Sequence, residues 1–446
     1  MQDFIEQLDS IMPTALIGSV VRTEGMMTAV AGFPAPVGAV AQIERQTGEP
    51  IEGEVIGFRD ELTLIYPFSA LTGVRHGNRV RMKRTARSIH VGQQLLGRVI
   101  NAHGKPTDGR PPPAVTDRVR LDRPPPAAIE RPTIDTPLST GIRALDGLLT
   151  CGRGQRVGVF SGSGVGKSVT LGMMARYTSA DVNVIALIGE RGREVNEFLQ
   201  RDLGPEGQAR SVVVVATSDE PALLRIQAAL TATAVAEYFR DRGQDVLLLM
   251  DSLTRFAMAQ REIGLAAGEP PATRGYPPSV FASLPKLVER TGRSRRGTIT
   301  AFYSVLVEGD DTNEPISDTV RGLLDGHIVL SRKIASRGHY PAIDVLDSIS
   351  RLMPVLTPPA QQQAIMEIRE LLTVYREHED LISIGAYRSG SNPTVDAAIA
   401  AREEIDRFLR QAVNEQCSVE QARNDLLQLA ARCRAARQVR SSPVES

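Results

Sequence analysis

A glycine-rich loop between a predicted strand and a predicted helix constrains the fold of this chain more than any other feature. Residues 155–160 are mostly apolar and indicate a short buried strand, and residues 169–176 present an apolar face at helical spacing. The segment Ser161-Gly-Ser-Gly-Val-Gly-Lys-Ser168 lies between them. A glycine loop that follows a strand and opens a helix is the context in which such a loop binds phosphates. The sequence therefore predicts a site for a nucleoside triphosphate.

The residue types of the loop explain how it would hold phosphates. Gly162, Gly164 and Gly166 lack a Cβ, so the backbone can adopt positive φ and turn its N–H groups towards phosphates, which the N-terminus of the following helix also attracts. Lys167 supplies a mobile positive charge for the β- and γ-phosphates, and Ser168 offers a hydroxyl to the Mg²⁺ that bridges them. The predicted nucleotide-binding residues of this segment are Ser161, Gly162, Ser163, Gly164, Val165, Gly166, Lys167, Ser168 and Val169.

One position of the loop departs from the strict pattern G-x-x-x-x-G-K-S/T, because Ser161 stands where the first glycine is expected. That position borders the turn and does not line its tightest part, so the prediction of a phosphate site stands. The alternative is a glycine-rich turn that contains Gly-Lys-Ser by chance. The predicted strand and helix on either side argue against this alternative.

Length and composition indicate the class of protein. A chain of 446 residues is long enough for two or three domains of roughly 100 to 200 residues each. No apolar run approaches the ~20 residues that span a bilayer, and the N-terminus lacks the basic and apolar regions of a secretory signal, so we expect a cytosolic protein. Cys151, Cys417 and Cys433 are far apart and show no metal-binding spacing, so we expect reduced thiols.

Charge and aromatic content argue against a nucleic-acid partner. The formal net charge is zero, tryptophan is absent, and a base-stacking surface needs aromatic side chains. One basic cluster, Arg290, Arg293, Arg295 and Arg296, could still bind an anionic partner. We expect this cluster to be a solvated loop in the first place, with a contact to a ring pore or a partner as the alternative.

The spacing of apolar residues divides the first part of the chain into two units. Residues 1–14 place apolar side chains at helical spacing, which predicts a short amphipathic helix that either lies on its own domain or docks a partner. Residues 15–92 contain short strand-like runs separated by glycine, at 17–21, 26–30, 39–43, 54–58, 62–66 and 79–82, which predict a small β-barrel or sandwich. The proline-rich stretch 105–137 is expected to be an extended surface connection.

Residues 93–358 alternate apolar runs with helical stretches. The runs at 182–188, 212–216, 246–250, 298–305 and 327–330 are apolar on both faces, as a parallel sheet covered by helices requires. Residues 359–446 show helical spacing throughout most of their length. The predicted fold is therefore α/β, with a P-loop core of parallel strands and helices, an N-terminal β-barrel and a C-terminal α-helical domain.

Two further strands end in charged residues that suit a hydrolytic site. Asp251 follows an apolar run and would hold Mg²⁺ through its water shell, although buried strands also end in Asp as a turn or a cap. Glu190 and Arg191 follow Gly189 at the end of another run, at the edge where ligands meet open α/β sheets. Glu190 is the candidate for orienting the attacking water, and Arg191 would neutralise phosphate charge. The alternative is a salt-bridge cluster at the start of a helix.

Several segments resemble the rotary ATP synthase α/β family and its relatives. They are Pro341-Ala-Ile-Asp344 with Ser348-Ile-Ser350, Ile188-Gly-Glu-Arg-Gly-Arg-Glu-Val195, Asp251-Ser-Leu-Thr-Arg-Phe-Ala-Met-Ala-Gln-Arg-Glu262 and Gly268-Glu-Pro-Pro-Ala-Thr-Arg-Gly-Tyr-Pro-Pro-Ser-Val280. Together they are similar to the bacterial type III protein-export ATPases, and the resemblance covers the chain from Leu16 to Ala401. Segments 166–177 and 385–393 are more similar to the flagellum-specific enzyme than to the virulence-injectisome enzyme.

The resemblance implies a RecA-like core and roles for two more residues. Tyr340 would stack on adenine, and Arg351 would be an arginine finger that reaches the site of a neighbouring subunit. A homohexameric ring would then hydrolyse ATP with Mg²⁺. From the residues alone, Tyr340 is a partly buried aromatic, and Arg351 could also form a structural salt bridge.

The resemblance also implies partners and a location. The partners would be a stator-like regulatory dimer at the N-terminal helix, a central stalk-like subunit, export chaperones with their substrates, and the membrane export gate. The protein would act in the cytoplasm at the inner face of the cell membrane. One alternative is a rotary ATP synthase catalytic subunit, which shares the site residues. Another is an RNA-dependent hexameric motor of the transcription-termination type, against which the neutral charge and few aromatics speak.

Overall fold

The computed structural model describes residues 16–307 and 314–441, and the predicted helix at 1–14 lies outside them. The strands, in chain order, are β1 Ile17–Glu24, β2 Met27–Ala31, β3 Val40–Ile43, β4 Ile51–Arg59, β5 Leu62–Pro67, β6 Arg79–Arg84, β7 Ser88–Val91, β8 Val99–Asn101, β9 Asp117–Arg120, β10 Pro137–Leu138, β11 Cys151–Gly152, β12 Arg156–Ser161, β13 Val182–Glu190, β14 Ser211–Thr217, β15 Asp245–Asp251, β16 Gly292–Arg293, β17 Thr298–Leu306, β18 Gly326–Leu330 and β19 Ile343–Ser350.

The α-helices alternate with the later strands and then follow them. They are Arg143–Leu148, Lys167–Tyr177, Gly192–Glu197, Gly204–Ala209, Ala222–Arg240, Leu253–Ala266, Pro278–Val288, Pro315–Leu323, Arg332–Ala335, Met353–Leu356, Pro359–Ser383, Pro393–Leu409 and Val419–Ser441. A π-helical turn spans Phe198–Leu203. Among the residues that the structure describes, no helix has both the length and the apolar character needed to cross a membrane.

Strands β1 to β6 close into a barrel in the order β1-β2-β5-β4-β3-β6, with antiparallel neighbours throughout. The barrel closes where β1 pairs with β6, with Gly18 opposite Val80. Alternate residues point inwards, so Val30, Ile43 and Ile65 are buried in the barrel core. The barrel alternative is therefore the one that forms, and closure leaves no strand edge open.

The segment after the barrel connects it to the core. Strand β7 is not part of the barrel, because it pairs with β9 in a separate antiparallel ribbon. The predicted N-terminal unit, residues 15–92, includes β7, whereas the barrel ends with β6. Most of the proline-rich stretch around β9 is exposed and irregular, as an extended surface connection should be. The ribbon is attached to the core by Asp117, which accepts hydrogen bonds from Tyr238 and Arg242.

The core is built on one large sheet in the order β19-β18-β12-β17-β15-β13-β14-β8, with β16 alongside β17. The strands from β18 to β8 in this order are parallel, and β19 is antiparallel to β18. Strands β13 and β15 are buried on both faces, as predicted for a helix-covered sheet. The sequence did not reveal β8, which is three residues long, or β19, whose residues alternate between buried and exposed.

The three helices that follow residue 358 pack against one face of this sheet. Ile365, Ile368 and Phe408 share a buried cluster with Val157 and Val159 of β12. Strand β12 leads directly into the glycine-rich loop. The packing therefore places the C-terminal helical domain beside the predicted phosphate site.

The basic cluster is a solvated loop only in part. Arg290 is 3% exposed and forms two hydrogen bonds, of 2.9 and 2.8 Å, with the carboxylate of Glu237, which is 1% exposed. It also donates to the carbonyl oxygen of Leu121 at 2.7 Å. The expectation of a solvated side chain is wrong for Arg290, because this bidentate pair and the extra hydrogen bond offset the cost of burying its charge. Arg295 is 75% exposed, as expected.

Replacing Arg290 by Ala is expected to lower the free energy of unfolding by about 3–5 kcal/mol, because the Glu237 carboxylate would stay buried without its partner. The matched control is Arg295→Ala, which we expect to change stability by less than ~0.5 kcal/mol because that side chain is exposed. Urea denaturation followed by circular dichroism measures both values. Equal, small changes in the two variants would contradict a structural role for the buried pair.

Candidate active site

Three parallel strands end at one edge of the sheet and bring Lys167, Glu190 and Asp251 together. Strand β12 runs into the glycine-rich loop, β13 ends at Glu190, and β15 ends at Asp251. The carboxyl ends of such strands are where open α/β sheets bind ligands. Lys167 begins the helix after the loop, and its Nζ lies 2.5 Å from Asp251 Oδ1 and 3.7 Å from Glu190 Oε1. Residues that are far apart in sequence thus surround one ammonium group.

The loop has the backbone conformation that its glycines allow. Gly164 and Gly166 have φ angles of 77° and 85°, in the left-handed region that favours glycine. The carbonyl oxygen of Gly166 accepts a hydrogen bond from the Thr170 N–H at 3.0 Å, in the first turn of the helix. A Cβ on Gly166 would lie 3.3 Å from the ring of Tyr340. The bare backbone at this position therefore lets the Tyr340 ring approach the loop.

Burial and neighbouring charges set the ionisation of the cluster. Burial, followed by the negative charge of Asp251, raises the pKa of Glu190 to about 7. Burial opposes the charge of Lys167, but the carboxylates of Asp251 and Glu190 outweigh it and raise the pKa of this ammonium group. Lys167 is therefore protonated at neutral pH, and Glu190 titrates near neutrality. A group that titrates near the working pH suits the handling of a water molecule in hydrolysis.

The side chains around Lys167 fit a magnesium ion that arrives with a nucleotide. A small cavity of about 80 Å³ beside the loop is lined by Ser168, Glu190 and Asp251, among others. The hydroxyl of Ser304 donates to Asp251 Oδ1 at 2.8 Å and holds that carboxylate in place. Within residues 16–307 and 314–441, no three His, Cys, Asp or Glu side chains are grouped to hold a metal by themselves. One hydroxyl and one carboxylate are enough protein ligands for Mg²⁺, because this ion retains several water ligands and completes its coordination with phosphate oxygens.

One of the predicted residues lies at the rim of the site, and another charged residue lies inside it. The side chain of Arg191 is 78% exposed and its guanidinium is 3.8 Å from Glu194. Arg255 packs against Gly189, where a Cβ would lie 3.2 Å from Arg255 Cβ, and its charge opposes the raised pKa of Glu190. Arg255 lies four residues after Asp251, in the segment 251–262 that resembles the family. The sequence does not reveal that its side chain turns towards Glu190.

Tyr340 lies between the loop and the C-terminal helices. Its side chain is 46% exposed and lines a cavity of about 880 Å³, together with Tyr375, Arg402 and Gln411. The carbonyl oxygen of Tyr340 accepts a hydrogen bond from the Gln411 N–H at 3.1 Å. The Gln411 side chain in turn donates to the Gly141 carbonyl oxygen at 2.8 Å. The ring is thus placed beside an open cavity next to the phosphate site, where stacking on adenine stays a prediction.

Arg351 follows the end of β19 that lies farthest from the glycine-rich loop of its own chain. This is the end of the sheet opposite to the carboxyl ends of the parallel strands. Strand β19 begins with Ile343 opposite Leu330, near the loop, and runs away from it to Ser350 opposite Gly326. At ~3.3 Å per residue, this strand covers roughly 25 Å. The exposed Arg351 side chain is therefore too far away to contact a nucleotide held by its own loop.

Comparison with known proteins identifies the class of protein to which this site belongs. Residues 141–350 match the nucleotide-binding domain of the ATP synthase alpha/beta family, and residues 357–428 match the T3SS EscN ATPase C-terminal domain. The first of these regions contains Lys167, Glu190 and Asp251. The fold and the site are those of a P-loop ATPase of the ATP synthase alpha/beta family.

Longer similarities identify the branch of this family. The flagellum-specific ATP synthase of Bacillus subtilis is 51% identical over 94% of this chain and 96% of its own length. The type 3 secretion system ATPase of Xanthomonas euvesicatoria is 50% identical over 89% of this chain and 90% of its own length. The assembled ATPase EscN in complex with its central stalk EscO, from enteropathogenic E. coli, aligns with a TM-score of 0.85 and 43% identity, covering 93% of this chain and 100% of that chain. This chain belongs to the bacterial type III protein-export ATPases.

Proposed function

We propose that this chain hydrolyses ATP to energise flagellar type III protein export, as a homohexameric ring in the cytoplasm at the inner face of the membrane. The observation that carries the proposal is the grouping of Lys167, Glu190 and Asp251 around one nucleotide site, with Arg351 at the far edge of the sheet. The flagellum-specific relative and the assembled EscN structure support it.

The side chains of one subunit supply most of the hydrolytic site. The loop amides and Lys167 bind the β- and γ-phosphate oxygens and offset the charge that develops on the γ-phosphoryl group. When bound, Mg²⁺ adds positive charge at these oxygens, and Ser168 and, through water, Asp251 would hold it. Glu190 in its ionised form accepts a hydrogen bond from the attacking water and aligns it for in-line attack. Positioning and charge stabilisation account for nearly all catalysis of this kind.

A second chain would complete the site. Arg351 cannot reach its own loop, and a planar, permanently charged guanidinium suits the charge on a γ-phosphoryl group held by a neighbour. Arg191, exposed at the rim of the site, would contribute further positive charge to the phosphates. A ring in which Arg351 of each chain enters the site of the next chain agrees with the positions of Arg351 and Arg191.

The flagellar assignment is tested by complementation. This chain is expected to restore motility to a bacterium that lacks its flagellum-specific ATPase, and Lys167→Ala serves as the inactive control. In a strain that lacks its injectisome ATPase, the same chain should not restore secretion. The reverse pattern would assign the chain to a virulence injectisome, in spite of segments 166–177 and 385–393.

The proposed work of the ring is to unfold export substrates or release them from chaperones and to pass them to the membrane export gate. Its other partners would be a stator-like regulatory dimer and a central stalk-like subunit. The structure of EscN with its central stalk EscO supports the stalk. The C-terminal domain match and the export relatives favour this function over that of a rotary ATP synthase catalytic subunit.

The second candidate class, an RNA-dependent hexameric motor, predicts a different response. Addition of RNA at physiological salt should leave the ATPase rate of this protein unchanged, because the chain has no net positive charge and no tryptophan. A many-fold rise in the rate would replace the export function with an RNA motor.

The kcat/KM for ATP is expected to fall as the pH drops through about 7. Glu190 aligns water as a carboxylate. Because its pKa is raised to about 7, the protonated fraction of Glu190, which cannot align the water in this way, increases below about pH 7. Lys167, whose pKa is raised, keeps its charge over this range. Steady-state kinetics between about pH 6 and 8, with the affinity for a non-hydrolysable analogue measured at each pH as the control, test this. A profile that is flat over this range would contradict the titration of Glu190.

A further inference from the structure

A second cavity beside the glycine-rich loop is lined by arginines to which the proposed hydrolytic mechanism assigns no role. Its volume is about 580 Å³, and Ser161 and Ser163 of the loop form part of its wall. It shares no described lining residue with the cavity beside Tyr340. The charged residues that line it are Arg255, Arg261, Arg274, Arg332 and Glu314. Among its described lining residues, four guanidinium groups therefore face one carboxylate.

Three of these arginines have no ion-pair partner among the residues that the structure describes. Among the described residues, Arg255, Arg261 and Arg332 form no ion pair with a carboxylate. Arg255 Nε is buried and makes no hydrogen bond to any residue that the structure describes. The guanidinium of Arg261 lies 5.1 Å from the ring centre of Tyr276, which holds it in place without neutralising it. A cleft lined by one sign of charge attracts small ions of the opposite sign.

The wall of the cavity includes the residue that departs from the strict glycine pattern. Ser161 is 2% exposed, and its Oγ makes no hydrogen bond to any residue that the structure describes. A buried hydroxyl without a partner destabilises the folded state, and glycine at this position would avoid that cost. Within the described residues, the Ser161 hydroxyl has no hydrogen-bond partner and lies in the same wall as Arg255 and Arg261, which have no ion-pair partner there. This combination indicates a ligand with several acceptor oxygens.

Arg255 connects this cavity to the hydrolytic site. Its side chain packs along Gly189, the residue before Glu190, and it also lines the arginine-rich cavity. In the proposed mechanism, inorganic phosphate is formed beside Glu190 and Lys167. The cavity therefore begins next to the place where this product appears.

We propose that the arginine-lined cavity binds inorganic phosphate after hydrolysis and is the route by which it leaves. The phosphate dianion offers several oxygens to guanidinium groups, which bind such oxygens in a bidentate manner. Arg261 and Arg332 hold the phosphate beyond the γ-position, and the exposed side of the cavity releases it. This inference rests on the proposed function in one respect, that phosphate forms beside Glu190.

The experiment separates this cavity from the γ-position. The full-length protein is loaded with Mg²⁺ and a non-hydrolysable ATP analogue, which fills the triphosphate site, and inorganic phosphate is then titrated by calorimetry. Wild-type protein is expected to bind phosphate under these conditions. The double variant Arg261→Gln/Arg332→Gln should bind phosphate at least ~tenfold more weakly, since each lost guanidinium removes a charge-assisted contact. Its affinity for the analogue should not change.

The matched control is Arg295→Gln, which removes an exposed arginine outside both cavities and should leave phosphate binding unchanged. If the double variant does not fold, the two single variants are measured instead. Absence of phosphate binding to analogue-loaded wild-type protein, or equal binding by the variants, would overturn the inference. Neither result affects the proposed hydrolytic roles, which are measured separately through Glu190→Gln.

Discussion

Replacing Glu190 by Gln is expected to lower the kcat for ATP hydrolysis by ~10²–10⁴-fold while the affinity for nucleotide changes by less than about threefold. Gln has nearly the same size as Glu but carries no negative charge, so it cannot align and polarise the attacking water in the same way. The Lys167 ammonium keeps its closer partner, because its Nζ lies 2.5 Å from Asp251 and 3.7 Å from Glu190. The phosphate-binding part of the site is therefore left intact.

Phosphate release assays and titration with a fluorescent nucleotide measure the two quantities. Glu197→Gln is the matched control, because Glu197 lies near the same small cavity but is 44% exposed and pairs with Arg193. We expect this control to retain turnover within about twofold. Retained turnover in Glu190→Gln, or an equal loss in both variants, would remove Glu190 from its proposed role.

Replacing Arg351 by Ala is expected to lower the ATPase rate by ~10³–10⁵-fold, the range for loss of an arginine finger. The fold places Arg351 at the sheet edge opposite its own loop, so the loss should arise at the site of a neighbouring chain. Mixing this variant with Lys167→Ala tests this directly. In a mixed ring, a junction forms between a chain with an intact loop and a chain with an intact Arg351, so part of the activity should return.

A second mixture provides the control for this experiment. Lys167→Ala and Glu190→Gln both damage the loop side of the site, so no junction between these two chains is complete and no activity should return. Rates are measured over a range of mixing ratios at constant total protein. Lack of recovery for Arg351→Ala with Lys167→Ala at every ratio would mean that Arg351 does not act across an interface.

The parts of the structure that depend on neighbouring residues were predictable from the sequence. The strand–loop–helix unit around Lys167 and the apolar strands ending at Glu190 and Asp251 each show their pattern within a few residues. The structure then brings these elements to one edge, as parallel strands require. The α/β core, the barrel and the C-terminal helices were all predicted in this way.

The parts that depend on distant partners were not predictable. Arg290 looked solvated because its partner Glu237 lies 53 residues away, and no local pattern joins them. The position of Arg255 depends on the missing side chain of Gly189, which makes room for it near Glu190. The direction of β19 is set by its pairing with β18, so the sequence suggested a finger at Arg351 without showing which site it could reach.

The antiparallel course of β19 has a genetic consequence. Strand β19 starts near the glycine-rich loop of its own chain and ends at Ser350, next to Arg351. In the proposed ring, each nucleotide would therefore be contacted by two chains. In a cell that makes normal and Arg351→Ala chains in equal amounts, most rings would contain at least one faulty junction. The variant allele is therefore expected to be dominant, and motility should fall even though half of the chains are normal.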